Sequence, residues 1–220
     1  AFDEILVAVG RKARSIGKNY EELGIKLRTN GTVDVDDYMR ANGSNIFACG
    51  DITGPYQFTH MASHQAFYCA FNALFRPIKL KVDYRVVPWV TYSDPEIAQV
   101  GINETEAKKQ GVEYEVYSHE IDDLDRAIAE SETKGIVKVL TKPGTDKILG
   151  ANIVAYNAGE MLTEFTSAMK NKFGLNKILG TIHPYPTMSE GNKYAAGAWK
   201  KSTVTPFKLK LANFIMSLRR

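Results

Sequence analysis

Two apolar, β-branched runs fix the class of fold this chain can adopt. Gly135-Ile136-Val137-Lys138-Val139-Leu140-Thr141 and Ile148 to Ala155 are rich in Val and Ile, and Pro143-Gly144-Thr145-Asp146 lies between them. β-Branched side chains suit a pleated, half-buried surface, and Pro-Gly-x-Asp is turn chemistry. The pair predicts two strands joined by a hairpin-type turn. Around it, Trp89 to Tyr92 and Tyr114 to His119 predict further strands, while Glu104 to Gln110, Gly159 to Lys172 and Thr187 to Trp199 predict helices. Strands and helices mixed in this way indicate an α+β domain rather than a doubly wound one.

Upstream the pattern changes. Ile5 to Val9 is a short apolar run ended by Gly10, and Ile46-Phe47-Ala48-Cys49 is another, stopped by Gly50-Asp51; both predict buried strands. Residues 11–45 between them are polar, with Gly17, Gly24, Gly31 and Gly43 breaking any long element and Val33-Asp34-Val35 as a brief strand. Residues 58–75 carry Phe58, Ala62, Ala66, Phe67, Ala70, Phe71 and Leu74 at helical spacing, and Pro77 ends that helix. Lys79 to Tyr84 reads as a linker. The expected units are residues 1–82, residues 83–205 and a basic amphipathic tail over 206–220.

The 220 residues, 44% of them hydrophobic, suffice for one sizeable core or one domain plus part of another. A balance of 28 basic against 25 acidic residues gives no electrostatic case for nucleic acid. No apolar run reaches the roughly 20 residues of a membrane span, and no signal-peptide pattern opens the chain. Cys49 and Cys69 are the only cysteines. That count fits a reducing compartment better than a disulfide scaffold, so the expected location is the cytoplasm. In the tail, Leu209, Leu211, Phe214, Ile215 and Leu218 stand against Lys208, Lys210, Arg219 and Arg220. Packing within the protein is favoured there over contact with a membrane surface.

Several positions have two readings. Asp51 follows a predicted buried strand, where open α/β sheets place ligand contacts, and its carboxylate could accept hydrogen bonds from sugar hydroxyls. An isolated Gly-Asp is otherwise a turn. His60 and His64 stand four apart on one helix face without a third ligand in nearby sequence, so no metal site is expected. Cys49 and Cys69 read as buried, inert thiols, and His119 as polar surface. Pro186-Thr187-x-x-Glu190 is by itself a helix start, with Thr187 as N-cap and Glu190 completing a capping box.

A resemblance adds to these readings. Ile182-His183-Pro184-Tyr185-Pro186-Thr187-Met188-Ser189-Glu190 resembles the C-terminal signature of the class I pyridine nucleotide–disulfide oxidoreductases, the family of dihydrolipoamide dehydrogenase and mercuric reductase. Gly150-Ala151-Asn152-Ile153, Gly159-Glu160-Met161, and Asp94-Pro95-Glu96 with Val100-Gly101 resemble the family in the same order along the chain. The resemblance implies a dimerisation domain preceded by a remnant of a Rossmann-like nucleotide-binding domain. It implies that Gly50-Asp51 meets the ribityl chain of FAD, that the backbone of Gln57, Phe58, Thr59 and His60 meets the flavin ring, and that Gly10, with Arg11, lies beside NAD(P)H.

Across a homodimer the signature would bring its acid–base residues over the partner's redox disulfide, to act on a small-molecule disulfide or a metal ion. Those residues would be Tyr185, backed and oriented by Glu190, with His183 as a substitute base. Lipoamide dehydrogenases carry histidine where this chain has Tyr185. Histidine titrates near about 6.5 and tyrosine near about 10, so the substitution changes the chemistry. Mercuric reductases resemble this chain in that tyrosine, but the Cys-Cys pair that ends them is absent here. The family's Gly-x-Gly-x-x-Gly and Cys-x-x-x-x-Cys motifs belong upstream of these residues. The chain is therefore expected to be a piece of a longer protein, to hold only part of the FAD site and to be inactive alone. The rival expectation is a non-enzymatic dimerisation module.

Overall fold

The alternation becomes a five-stranded antiparallel sheet in the computed structural model. The structure describes residues 2–15, 19–41, 45–75 and 77–217, with 208 and 211–213 as backbone alone. The chain divides into two compact units, Ala1–Asp83 and Tyr84–Arg220, and each has its own cluster of buried side chains.

In the first unit, Ile25, Val33 and Ala41 form a small core with Tyr20, Val35, Ile46, Ala48 and Ile52 around it. Single bridges pair Leu27 with Val33, Val35 with Ala41, and Arg40 with Phe47. Two predicted strands are corrected here. Ile5 to Val9 is irregular and exposed, Leu6 and Val9 by 92% each, and Ile46 to Cys49 is half-buried with a single bridge at Phe47. An apolar run becomes a buried strand only beside neighbours that take up its N–H and C=O groups. The described residues of this unit form no such ladder. The predicted breaks at Gly17 and Gly43 lie outside the described residues.

Helix α1, Thr59–Leu74, forms as predicted but buries Met61, Gln65 and Asn72, while Phe67 and Leu74 of its apolar stripe face solvent. Asn72 fastens it. Its Nδ2 donates to the carbonyls of Tyr38 at 3.0 Å and Leu80 at 2.9 Å, and its Oδ1 accepts the Leu80 N–H at 2.7 Å. Each of these bonds left unmade in a buried amide would cost its desolvation, so the fastening is specific.

The second unit contains β1 Pro88–Thr91, β2 Glu96–Gly101, α2 Glu104–Gln110, β3 Glu115–Glu120, α3 Asp125–Glu130, β4 Ile136–Thr141, β5 Ile148–Ala155, α4 Ala158–Lys170, α5 Leu175–Gly180, α6 Glu190–Ser202 and α7 Pro206–Ser217. The strand order is β1-β2-β5-β4-β3. Helix α4 lies against β2 and β5, and α6 against β3 and β4. Between them, Val137, Ile153, Phe165, Leu162, Ala195 and Trp199 belong to one buried cluster. Each large side chain so buried contributes about 1.5–3 kcal/mol.

Local chemistry sets the helix ends. Asn103 and Glu106 form a reciprocal capping box at the start of α2, and Gly111 ends it in the left-handed region. Helix α6 begins at Glu190 rather than at the predicted Thr187, because the Thr187 hydroxyl turns back to the Pro184 carbonyl at 2.7 Å instead of capping. Helices α3 and α5, of six residues each, went unpredicted because they are too short to carry an apolar period.

Past the end of β2 the chain crosses close over β5. A Cβ on Gly150 would sit 2.0 Å from the Ile102 carbonyl oxygen, and its ladder partner Gly101 has φ +68°. Gly150→Ala is expected to lower stability by about 3 kcal/mol, the upper range for overpacking, since backbone rather than a flexible side chain must move. Chemical denaturation with an unchanged m-value checks this.

No helix is long and apolar enough to cross a membrane among the described residues. Helix α7 leaves Phe207, Phe214 and Met216 exposed. The last three residues of the predicted amphipathic tail lie outside the described residues.

Candidate functional site

In the first unit the chain turns sharply after Ala48. Gly50 to Ile52 form one turn of 3-10 helix, with Gly50 at φ +79°. A Cβ at Gly50 would meet the Ala62 methyl at 3.2 Å, so both conformation and space call for glycine. Gln65 was not singled out in the sequence, yet it builds this turn: its fully buried Oε1 accepts the Gly50 N–H at 2.6 Å. The Thr53 hydroxyl closes the turn onto the Gly50 carbonyl at 2.9 Å. No local pattern marked Gln65, because α1 buries Met61, Gln65 and Asn72 rather than the apolar stripe read in the sequence.

Asp51 stands at the rim of this turn with its side chain 41% exposed, 3.3 Å from the Arg11 guanidinium. Arg11 also donates to the Gln57 carbonyl, so it ties Gly10 and its neighbours to the two segments predicted to meet the cofactor. Gly10 itself is open, with φ +93° and nothing near its Cα hydrogens. Helix α1 starts after Phe58 without a side-chain cap, and the Phe58 and His60 rings stack at 5.1 Å. An uncapped helix start presents N–H groups that suit an acceptor-rich ligand.

The thiols of Cys49 and Cys69 are neighbours despite their separation in sequence. Both are free and half-buried rather than fully buried as predicted. Burial, with Cys49 alongside, pushes the Cys69 thiol up to about 12. A thiol so far from ionising is a poor nucleophile. Among the described residues no three His, Cys, Asp or Glu side chains are grouped to hold a metal ion.

In the second unit the segment from Ile182 to Ser189 leads into α6. It is fastened at both ends. The His183 side chain is 5% exposed; its Nδ1 donates to the Thr181 carbonyl at 3.0 Å and its Nε2 meets Glu164 Oε1 at 3.0 Å. Asn192, fully buried on α6, donates to Glu164 Oε2 at 3.0 Å and to the Met161 carbonyl at 2.9 Å. At the other end Met188 is buried in the core. Between these anchors Tyr185 is 69% exposed.

Tyr185 donates its hydroxyl to Asp125 Oδ2, the first residue of α3. That hydrogen bond and the charge of Asp125 hold the phenol above its usual pKa. Glu190, the residue predicted to back Tyr185, instead accepts the Thr187 N–H at 3.3 Å. A cavity of about 280 Å³ opens beside the segment, lined by Arg126, Asn157, Glu160, Thr187 and Ser189 among others. His119, predicted as plain polar surface, is half-buried against Tyr194 and 3.1 Å from Asp123. Tyr185 and His183 thus lie on one segment with Glu190 opening the helix that follows, while Gly10, Asp51 and Gln57 lie around one turn. Asp125, Glu164 and Asn192 escaped the sequence reading.

Family models match stretches of both units. Residues 87–196 match the family model described as pyridine nucleotide-disulphide oxidoreductase, dimerisation domain, and residues 1–66 match pyridine nucleotide-disulphide oxidoreductase. The chain is 36% identical to a mercuric reductase of Staphylococcus aureus over 90% of its own length and 36% of that protein's. It is 34% identical to a dihydrolipoyl dehydrogenase of Chlamydia muridarum over 86% of its length and 40% of that protein's. It superposes with a TM-score of 0.78 and 26% identity on the HOCl-induced flavoprotein disulfide reductase RclA from Escherichia coli, covering 86% of this chain and 44% of that one. The chain spans less than half the length of these relatives.

Proposed function

Because the chain belongs to the pyridine nucleotide–disulphide oxidoreductase family, we propose that it is the C-terminal part of an FAD-dependent NAD(P)H:disulfide oxidoreductase that works as a homodimer. The observation that carries this reading is the exposed Tyr185 held between two buried anchors, His183 and Met188. Rigid fastening on both sides of one exposed hydroxyl is what a group needs to meet a substrate presented from outside its own subunit. The substrate class is a small-molecule disulfide or a metal ion. Tyr185 and Glu190 are the proposed substrate-facing side of the site, and His183 is its anchor rather than a base, since both ring nitrogens are engaged.

The first unit fits part of FAD. Glycine at 50 leaves room for close approach, the Asp51 carboxylate at the rim suits sugar hydroxyls, and the uncapped start of α1 suits the ring's acceptors. Asp51 and the backbone of Gln57 to His60 would hold the cofactor, and Gly10 would lie beside the nicotinamide. When bound, FAD carries electrons between the nicotinamide and the thiols.

The full-length protein is expected to purify as a yellow dimer that oxidises NAD(P)H in the presence of a disulfide or metal-ion acceptor. Light scattering, flavin absorbance and NAD(P)H consumption check the three parts. A colourless dimer without NAD(P)H oxidation would favour the non-enzymatic dimerisation module, and a strict monomer would leave Tyr185 without a partner site to serve.

A further inference from the structure

We propose that Asp125 is the positioning residue of Tyr185: its carboxylate takes the phenol's hydrogen bond and leaves the Oη lone pairs for substrate, so that Tyr185 meets a thiol as acceptor rather than donor. This rests on the function proposed above and deepens it. The family resemblance pointed to Glu190 for the orienting role, but Glu190 accepts the Thr187 N–H, while the Tyr185 hydroxyl reaches Asp125 across sixty residues of chain.

A phenol has one proton and two acceptor lone pairs. With the proton committed to a carboxylate, only the lone pairs remain for a group that approaches the exposed ring. The groups acting on the phenol are Asp125, Glu190 and Tyr194, and each favours its protonated form. Tyr185 therefore stays a phenol through the neutral range. It offers a fixed, polarised oxygen instead of a titrating base, which is a different solution from the histidine of lipoamide dehydrogenases.

Asp125 is well placed to hold a fixed geometry. It follows Leu124, a core residue 2% exposed, whose N–H bonds the carbonyl of fully buried Ile121 at 3.2 Å. The adjacent Arg126 pairs with Glu130.

The test uses the full-length protein. Tyrosinate absorbance is titrated, with the Tyr185→Phe variant subtracted to isolate Tyr185 from the other tyrosines. Asp125→Asn keeps size and an acceptor oxygen but removes the charge, so Tyr185 is expected to ionise at lower pH than in the parent. An unchanged titration overturns the proposal. In separated half-reactions, Asp125→Asn is expected to slow the thiol–disulfide step about tenfold, the lower range for a hydrogen bond to a charged group. Reduction by the nicotinamide should keep its parental rate, and Asp125→Glu should restore part of the loss. Equal slowing of both half-reactions would mark a merely structural role and overturn it. Should Tyr185→Phe leave the thiol–disulfide step untouched while Asp125→Asn still shifts the titration, the functional reading falls and the positioning role with it, and the Asp125–Tyr185 pairing alone stands.

Discussion

His183→Ala is expected to lower folding stability by about 3 kcal/mol. Truncating one member of a buried ion pair or hydrogen-bonded pair costs about 3–5 kcal/mol, because the other member is left desolvated and alone. Here the His183 side chain is 5% exposed but Glu164 is 27% exposed. Water reaching Glu164, and its remaining bond from Asn192 at 3.0 Å, place the loss at the low end. The Thr181 carbonyl also loses its donor, and the vacated ring leaves a void under the segment. Glu164→Gln keeps a hydrogen-bonding partner and is expected to cost about 1 kcal/mol. Urea denaturation with unchanged m-value measures both. A His183→Ala protein as stable as the parent would show that the segment bearing Tyr185 is not fastened there, and its exposure would then be looseness rather than presentation.

What was legible in the sequence depended on distance along the chain. The hairpin of β4 and β5 was legible because alternation and turn chemistry lie within about twenty residues, and β5 falls on Ile148–Ala155 as predicted. The capping-box reading at Thr187 was half right: Glu190 does reach back to the Thr187 N–H, but the Thr187 hydroxyl prefers the Pro184 carbonyl. The strand read at Ile5 to Val9 failed for a different reason. Its apolar pattern is real, but a buried strand is defined by its neighbours, and pattern alone does not supply them. The contacts that build the two candidate sites were invisible for a third reason. Gln65 meets Gly50 from fifteen residues away, Glu164 meets His183 from nineteen, and Asp125 meets Tyr185 from sixty. No local periodicity encodes pairings of that reach; only packing creates them, α1 against the Gly50 turn in the first unit, and α4 and α6 beside the sheet in the second.

Tyr185→Phe is expected to slow the thiol–disulfide half-reaction of the full-length protein by about tenfold or more, at least the effect expected for Asp125→Asn, since it removes the hydrogen-bonding oxygen itself rather than its orientation. The hydride half-reaction should be spared. The argument is one of geometry and of chemical form. The hydroxyl is exposed, fastened by flanking anchors, and hydrogen-bonded by a carboxylate that keeps it protonated. Removing one oxygen atom deletes the lone pairs offered to a reacting thiol and leaves the ring, the anchors and the first unit intact. Stability should hardly change, because the lost hydrogen bond is solvent-exposed. Tyr185→His separates the two ways of doing this chemistry. A histidine near its ordinary pKa of about 6.5 can accept and return a proton at neutral pH, whereas the phenol cannot. Activity toward dithiols should therefore rise in Tyr185→His relative to Tyr185→Phe and acquire a pH dependence near neutrality that the parent lacks. Separated half-reactions measured across pH decide between the outcomes. A loss in Tyr185→Phe confined to hydride transfer would remove this segment from the substrate side altogether, and a flat pH profile in Tyr185→His would mean that the residue at this position never meets the thiol.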